Sequence, residues 1–210
     1  IADTPIEVDF KNLMPNTKYY YRTKYRLANN GTYISALEHS FQTQRKPGYT
    51  FSFVVEADPH LDSNTNPDAY KLTLQHMLSK NPDFIIDLGD NAMSDKLPVI
   101  DKASIMDRTL LFRTYFNQIT HSVPLFVTLG NHEGESDFYY NKNTPNNICV
   151  WGTQLRKHYY PNPSPNNFYT GNATSEPYGI GNPENYYAWT WGDALFVVLD
   201  VYREECHDSL

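Results

Sequence analysis

The chain of 210 residues carries a formal charge of −7 at pH 7 and has the composition of a soluble globular protein. Its length suits one domain or one and a half. The acidic balance argues against a general affinity for nucleic acid or anionic membrane, and no apolar run is long enough to span a bilayer.

The first stretch, to about Lys46, reads as β structure. Ile6, Val8 and Phe10 alternate with Glu7, Asp9 and Lys11, the period of a half-buried strand. Further strands are expected over Tyr20–Tyr25 and through His39–Thr43, with Asn29-Asn30-Gly31 as the hairpin turn between them. Gln44–Gly48 reads as a linker, and a strand over residues 51–56 follows. Pro67–Lys80 is expected to be helical, because Tyr70, Leu74, Met77 and Leu78 fall on one face and Asn81-Pro82 stops the run. Phe84–Leu88 is a second apolar strand, 104–119 a second amphipathic helix carrying Ile105, Leu110, Leu111, Tyr115 and Phe116, and Leu125–Leu129 a third strand. Residues 137–185 are dense in Asn, Pro, Gly and Tyr, with one short helical stretch near Trp151–Tyr160. Loops of that length in a compact domain are usually functional or disordered. Tyr186–Trp191 and Ala194–Val201 return to β structure around a turn at Gly192-Asp193, and no internal repeat is visible.

The order β-α-β-α-β from Phe51 to Leu129 points to an α/β fold with a mostly parallel sheet. Its three short, near-continuous apolar runs read as strands buried on both faces. Each ends in a polar motif: Asp58-Pro59-His60, Gly89-Asp90-Asn91 and Gly130-Asn131-His132-Glu133. Open α/β sheets place their ligands beyond the carboxyl ends of such strands, so these residues are expected to converge on one rim. The 137–185 segment leaves directly from the last motif and is expected to overhang that rim. Carboxylates mixed with imidazole are what a pair of di- or trivalent metal ions needs for hydrolysing a phosphate ester. Taken singly, Gly-Asp-Asn is an ordinary turn, the aspartates are helix or turn caps, and Asn131 is a residue that tolerates a left-handed backbone. Three motifs in order, each after a strand pattern, outweigh those readings.

The ordered set resembles the metallophosphoesterases, the calcineurin-like superfamily, and within it the purple acid phosphatase-like enzymes. The similarity runs from about Thr50 to Val201. The family pattern continues with two later histidine motifs, and the chain ends at Leu210 before them. The resemblance therefore implies the first half of a metallophosphoesterase β-sandwich flanked by helices, over residues 50–210. It also implies hydrolysis of a phosphoester substrate, as a phosphatase or phosphodiesterase, by a hydroxide held on two metal ions (Fe, Zn or Mn). Asp58 and His60 would bind one ion, Asp90 would bridge both, and Asn131 would bind the second through its amide oxygen. His132 would stand beside the phosphate as the catalytic group, stabilising charge or protonating the leaving alkoxide. The alternative is a non-catalytic adhesion, assembly or structural protein on the same scaffold. One position departs from the purple enzymes, which place an iron-binding Tyr three residues after the bridging Asp. Here that residue is Met93, and a thioether is a poor ligand for ferric iron, so the iron–tyrosinate chromophore is expected to be absent.

Leu13-Met14-Pro15-Asn16-Thr17-Lys18-Tyr19 resembles the tyrosine corner of a fibronectin type III-like sandwich, which makes residues 1–46 the C-terminal part of such a domain. Purple acid phosphatase-like proteins carry such a domain ahead of the catalytic one. No signal-peptide pattern is visible, since Ile1 falls within a strand-like segment. Two glycosylation sequons, Asn30-Gly31-Thr32 and Asn172-Ala173-Thr174, together with the resemblance favour a secreted or extracellular protein. Cys149 and Cys206 could pair in that compartment or remain two buried thiols. Asp62 and Glu133 read as supporting or surface groups, and His39, His76, His121, His158 and His207 as structural or solvated.

Overall fold

Each helix begins where the sequence supplies a side-chain cap. The computed structural model describes residues 4–203. Helix α1 spans Pro67–Ser79, with Asn66 Oδ1 accepting from Asp68 N and Ala69 N at 3.0 and 3.2 Å and Pro67 in the first turn. Helix α2 spans Lys102–Thr120, where Asp101 accepts from Ser104 N at 2.8 Å. Helix α3 spans Ile148–Tyr159, where Asn147 accepts from Val150 N at 3.1 Å. That cap starts α3 three residues before Trp151, the expected start of the helical stretch.

Strands β3 (Phe53–Glu56), β4 (Phe84–Asp87) and β5 (Leu125–Val127) form a parallel sheet in that order, with α1 and α2 as the crossovers. Phe84 and Ile85 are fully buried, as expected for the central strand. Strand β3 corrects the expectation of burial on both faces, since Phe53 and Val55 are 42% and 44% exposed. It pairs with β4 alone among the described strands and so has one covered edge. A second, antiparallel sheet contains β6 (Thr170–Gly171), β7 (Tyr187–Trp191) and β8 (Ala194–Val198).

The two sheets meet through rings. Phe84, Phe126, Tyr187, Trp189, Trp191 and Val198 form one buried cluster, in which the Phe126 and Trp189 rings stack at 4.0 Å between centroids. On the other face of the parallel sheet, Ile85 packs with Tyr70 and Leu74 of α1 and Phe112, Phe116 and Ile119 of α2. Ile105 of α2 packs with Ile148, Leu155 and Tyr159 of α3. Much of the Asn- and Tyr-rich 137–185 segment is thus docked by its own helix and by β6.

Ahead of these layers, β1 (Lys18–Tyr25) and β2 (Ile34–Gln42) form an antiparallel hairpin whose register shifts between Arg22 and Lys24. The connection is a loop over residues 26–33 that includes the expected Asn29-Asn30-Gly31 turn, closed by a hydrogen bond from Gly31 N to Ala28 O. Ile6, Val8 and Phe10 do not form the expected strand. No neighbouring strand among the described residues accepts their ladder, and they stand 92%, 65% and 58% exposed. Met14 N donates to the Tyr19 hydroxyl at 2.9 Å, the backbone contact that a tyrosine corner makes. Gln44–Gly48 is pinned to the body of the fold. Arg45 makes a two-pronged ion pair with Asp83 (closest approach 2.6 Å), Gln44 Nε2 donates to Thr190 O, and Gly48 N donates to Asp193. Among the described residues, no helix is long and apolar enough to cross a membrane.

Candidate metal centre

The three motifs meet because their strands are parallel neighbours in register, Glu56 opposite Asp87 and Asp87 opposite Val127. Two further backbone bonds hold the strand ends together: Asp58 N donates to Gly89 O at 3.1 Å and Thr128 N to Asp87 O at 2.7 Å. Gly89 has φ +90°, and a Cβ there would stand 2.2 Å from Gly130 N. A Cβ on Gly130 would in turn stand 2.3 Å from Asp90 Oδ1. The two glycines are therefore required by the close approach of the Asp90 and Asn131 turns. Asp58, His60, Leu61, Asp90 and Met93 all have positive φ, between 48° and 57°. For residues with a Cβ such backbone costs of order 1–3 kcal/mol each and persists where the surroundings fix it.

This geometry brings ligand atoms of Asp58, His60 and Asp90 within 4.8 Å of one another. His60 Nε2 lies 3.6 Å from Asp58 Oδ1. It is shielded from solvent, and no described residue offers it a hydrogen bond. A partnerless imidazole nitrogen beside two carboxylates is costly unless a cation takes it. The oxygen and imidazole donors fit zinc, manganese or iron. The Asn131 side chain contacts its neighbour in the same motif, its Nδ2 standing 3.1 Å from His132 Nε2. His132 lies against the cluster: its backbone N donates to Asp90 Oδ1 at 2.8 Å, and its ring centroid is 6.5 Å from that of His60.

On its other side the His132 ring is held. Nδ1 lies 3.0 Å from both Asp95 oxygens, which places the proton of the neutral ring on Nδ1 and leaves Nε2 as the acceptor nitrogen, next to Asn131 Nδ2. The Asp95 side chain, 2% exposed, also accepts from the Tyr139 hydroxyl at 2.9 Å and pairs with Lys96 at 3.2 Å. Burial alone would raise its pKa. The hydrogen bonds from His132, Tyr139 and Lys96 outweigh that and hold it below the usual carboxylate value.

Behind the rim lie three more acids. Glu133, read from the sequence as a supporting or surface group, is buried and accepts from Asn91 N at 2.8 Å and Gly130 N at 2.6 Å, tying two motifs together. Glu56 accepts from the Tyr70 hydroxyl, and Asp87 accepts from Asn91 Nδ2 and Gly89 N. Burial pushes Glu56 up to about 7 and both Asp87 and Glu133 up to about 8. From α2, Arg108 donates to the carbonyls of His60, Leu61 and Ala92 and so fastens two motif loops at once. Asp95, Arg108 and Tyr139 carry no local signature in the sequence. Only Asp95 could have been sought, as the next carboxylate after Asp90.

The remaining sequence-derived sites fall elsewhere. Asn30 is exposed in the hairpin loop. Asn172 is 3% exposed and its Nδ2 donates to Asn185 at 2.8 Å, so a glycan on that nitrogen is incompatible with this packing. Cys149 is buried, with Sγ 3.3 Å from Glu135 O and 3.4 Å from Arg203 Nη1, and burial pushes its thiol up to about 12. Its proposed partner Cys206, like His207, lies outside the described residues. The His39 and His121 rings pack 4.5 Å apart where the hairpin meets the body of the fold, and His76 and His158 are exposed.

Among solved structures, a purple acid phosphatase, PPD1, from yellow lupin (Lupinus luteus) seeds is similar to this chain with a TM-score of 0.58 and 19% identity. The similarity covers 89% of this chain and 30% of that one, so the chain spans under a third of its structural relative. At that identity the likeness is one of fold. The comparison with curated proteins finds no match. The profile of the calcineurin-like phosphoesterase family matches residues 51–195, which include all three motifs and more than half of the chain. The chain belongs to the calcineurin-like phosphoesterase family.

Proposed function

We propose that this chain carries part of the active site of a secreted, two-metal phosphoester hydrolase, with His132 as its catalytic acid. The observation that carries the reading is the Asp58–His60–Asp90 cluster with its partnerless imidazole nitrogen, set against a histidine oriented by a carboxylate. Asp58 and His60 would hold the first ion, Asp90 would be shared, and Asn131 would serve the second. A zinc-like ion takes about four ligands, so donors beyond these four residues would be needed to complete the coordination of the second ion. When bound, the ions supply Lewis acidity and lower the pKa of an attacking water.

The protein groups account for the rest of the chemistry. Asp95 keeps the His132 ring turned so that Nε2 faces the substrate, and its charge stabilises the imidazolium. As the phosphorus–oxygen bond breaks, the electron pair stays on the departing oxygen and the Nε2 proton passes to it. The Arg108 bonds to the loop carbonyls keep His60 from turning outward.

In this reading residues 1–46 are the end of a fibronectin type III-like domain, supported by the β1–β2 hairpin and the Met14–Tyr19 contact, and residues 50–210 form the phosphoesterase part. The test is Asp90→Ala in the full-length protein. Loss of bound metal together with loss of hydrolysis of an aryl phosphate is the expected result. Near-normal turnover with both ions retained would overturn the assignment, and a parent protein that binds metal without turnover would point to a non-catalytic scaffold.

A further inference from the structure

We propose that Tyr139 is a positioning residue for His132, acting through Asp95, so that the 137–185 segment is part of the catalytic machinery. The inference rests on the reading of His132 as the group that protonates the leaving oxygen.

Tyr139 has two ends with different surroundings. Its ring packs on the α2–α3 cluster of Ile105, Ile148 and Leu155. Its hydroxyl donates to Asp95 Oδ2 at 2.9 Å, while His132 Nδ1 lies 3.0 Å from the same oxygen. The residue sits in a 3₁₀ turn, Asp137–Tyr139, fixed by Tyr139 N to Ser136 O and Tyr140 N to Asp137 O. The phenol is thus held at both ring and backbone, and a rigid donor fixes the carboxylate it touches.

The other donors to Asp95 cannot replace it. Lys96 Nζ is 3.2 Å away, but its side chain is 56% exposed, and such solvated, flexible pairs contribute little to geometry. His132 is the group being positioned, so it cannot also fix its own partner. Burial and the Asp95 bond push the Tyr139 hydroxyl up to about 12, which keeps it a donor across the working pH range. Without it, Asp95 is free to rotate toward Lys96 and solvent, and the imidazole loses its fixed direction. Groups that orient a catalytic side chain from behind are typically worth ten- to a hundredfold in activity.

The test uses the full-length, metal-loaded protein and a series of aryl and alkyl phosphates whose leaving groups range from acidic to basic. Tyr139→Phe keeps the ring packing and removes the hydroxyl. The expected result is unchanged metal content, KM within twofold of the parent, and kcat lowered about tenfold on basic leaving groups. Loss on acidic leaving groups should be smaller, because these need no proton to depart. In an Asp95→Asn background the same substitution should have no further effect, because the path runs through Asp95. A kcat within twofold of the parent on every substrate overturns the inference. So does a loss independent of leaving group, or one that adds in full to that of Asp95→Asn. His132→Ala separates this from failure of the underlying reading: if that variant also turns over basic leaving groups normally, it is the acid assignment that has failed.

Discussion

Replacing Arg108 should weaken metal binding although Arg108 touches no metal donor atom. Its guanidinium donates to His60 O, to Leu61 O at 3.2 Å and to Ala92 O at 3.1 Å. His60 and Leu61 have φ of 50° and 48°, and Asp58 one of 55°. Each such residue stores about 1–3 kcal/mol of strain that must be held by the surroundings. A hydrogen bond from a charged donor contributes about 1.5–3 kcal/mol where it is shielded. The guanidinium is only half-buried, so the lower end applies, and the two bonds to His60 O and Leu61 O offset about 3 kcal/mol of the strain of that loop. Arg108→Met keeps a stem of similar length over the Phe112 ring, which the guanidinium now covers at 5.4 Å, and removes all three donors. The loop should then sample conformations in which His60 turns away. The expected loss in metal affinity is about 10- to 100-fold, the usual penalty for removing groups that orient a ligand from behind, or roughly 1.4–2.8 kcal/mol. Arg108→Lys should do little better, because an ammonium cannot span three carbonyls. Competition with a chelating dye, on metal-stripped full-length protein, reads the affinity directly. An affinity within twofold of the parent would refute the reasoning.

The metal-free protein should lose thermal stability as pH rises from about 5 to 9. Glu56, Asp87 and Glu133 keep their protons to about 7, 8 and 8 when folded, well above the usual carboxylate value. Their contribution is complete below about pH 4 and is lost progressively from there until pH has risen through the folded values of about 7 to 8, at about 1.4 kcal/mol per pH unit for each extra proton held by the folded state. A melting temperature that is flat or rises over that window in a chelator would contradict it. Metal-loaded protein should be colourless or weakly coloured, because Met93 stands where an iron-binding Tyr would and the Tyr139 hydroxyl already donates to Asp95. An intense visible charge-transfer band would show that another phenolate reaches the metal. Intact-mass and glycopeptide analysis of natively produced protein should find glycan on exposed Asn30 and none on Asn172. A glycan on Asn172 would mean that its buried bond to Asn185 is not kept.

What was legible in the sequence was what is local. Helix α1 was placed by its apolar spacing, by Pro67 in its first turn and by the Asn81-Pro82 stop, all within one segment. The three motif strands announced themselves by composition, and the convergence of Asp58, His60 and Asp90 followed from parallel pairing. What depended on distant partners was not legible. Ile6, Val8 and Phe10 have a strand's alternation, but alternation makes a strand only when an edge accepts it. Phe53 and Val55 look like core residues, and their exposure reflects which strands flank β3. The sequon at Asn172 is a pattern of three residues that carries no information about burial. Arg108 reaches His60 across 48 positions, and Tyr139 reaches Asp95 across 44, through helices packed together by the hydrophobic cluster around Ile105.

The same distinction bears on why the motifs read as a metal centre rather than as three polar turns. A turn needs one glycine or asparagine, and it needs no charge. Here five residues with side chains hold positive φ within two short segments. Four carboxylates, Glu56, Asp87, Asp90 and Glu133, are buried around them. Among the described residues, Arg108 reaches those segments from the packed helices, and its hydrogen bonds there go to carbonyl oxygens rather than to the acids. Burial disfavours the ionised forms of Glu56, Asp87 and Glu133, and repulsion from neighbouring acids adds to it for Asp87 and Glu133. As a structural device the arrangement is therefore unfavourable on both backbone and electrostatic grounds. Cations at Asp58, His60 and Asp90 would reverse the electrostatic part, and strain of this kind gathers where a chemical role fixes the geometry. The partnerless nitrogen of His60 marks where the first ion would sit.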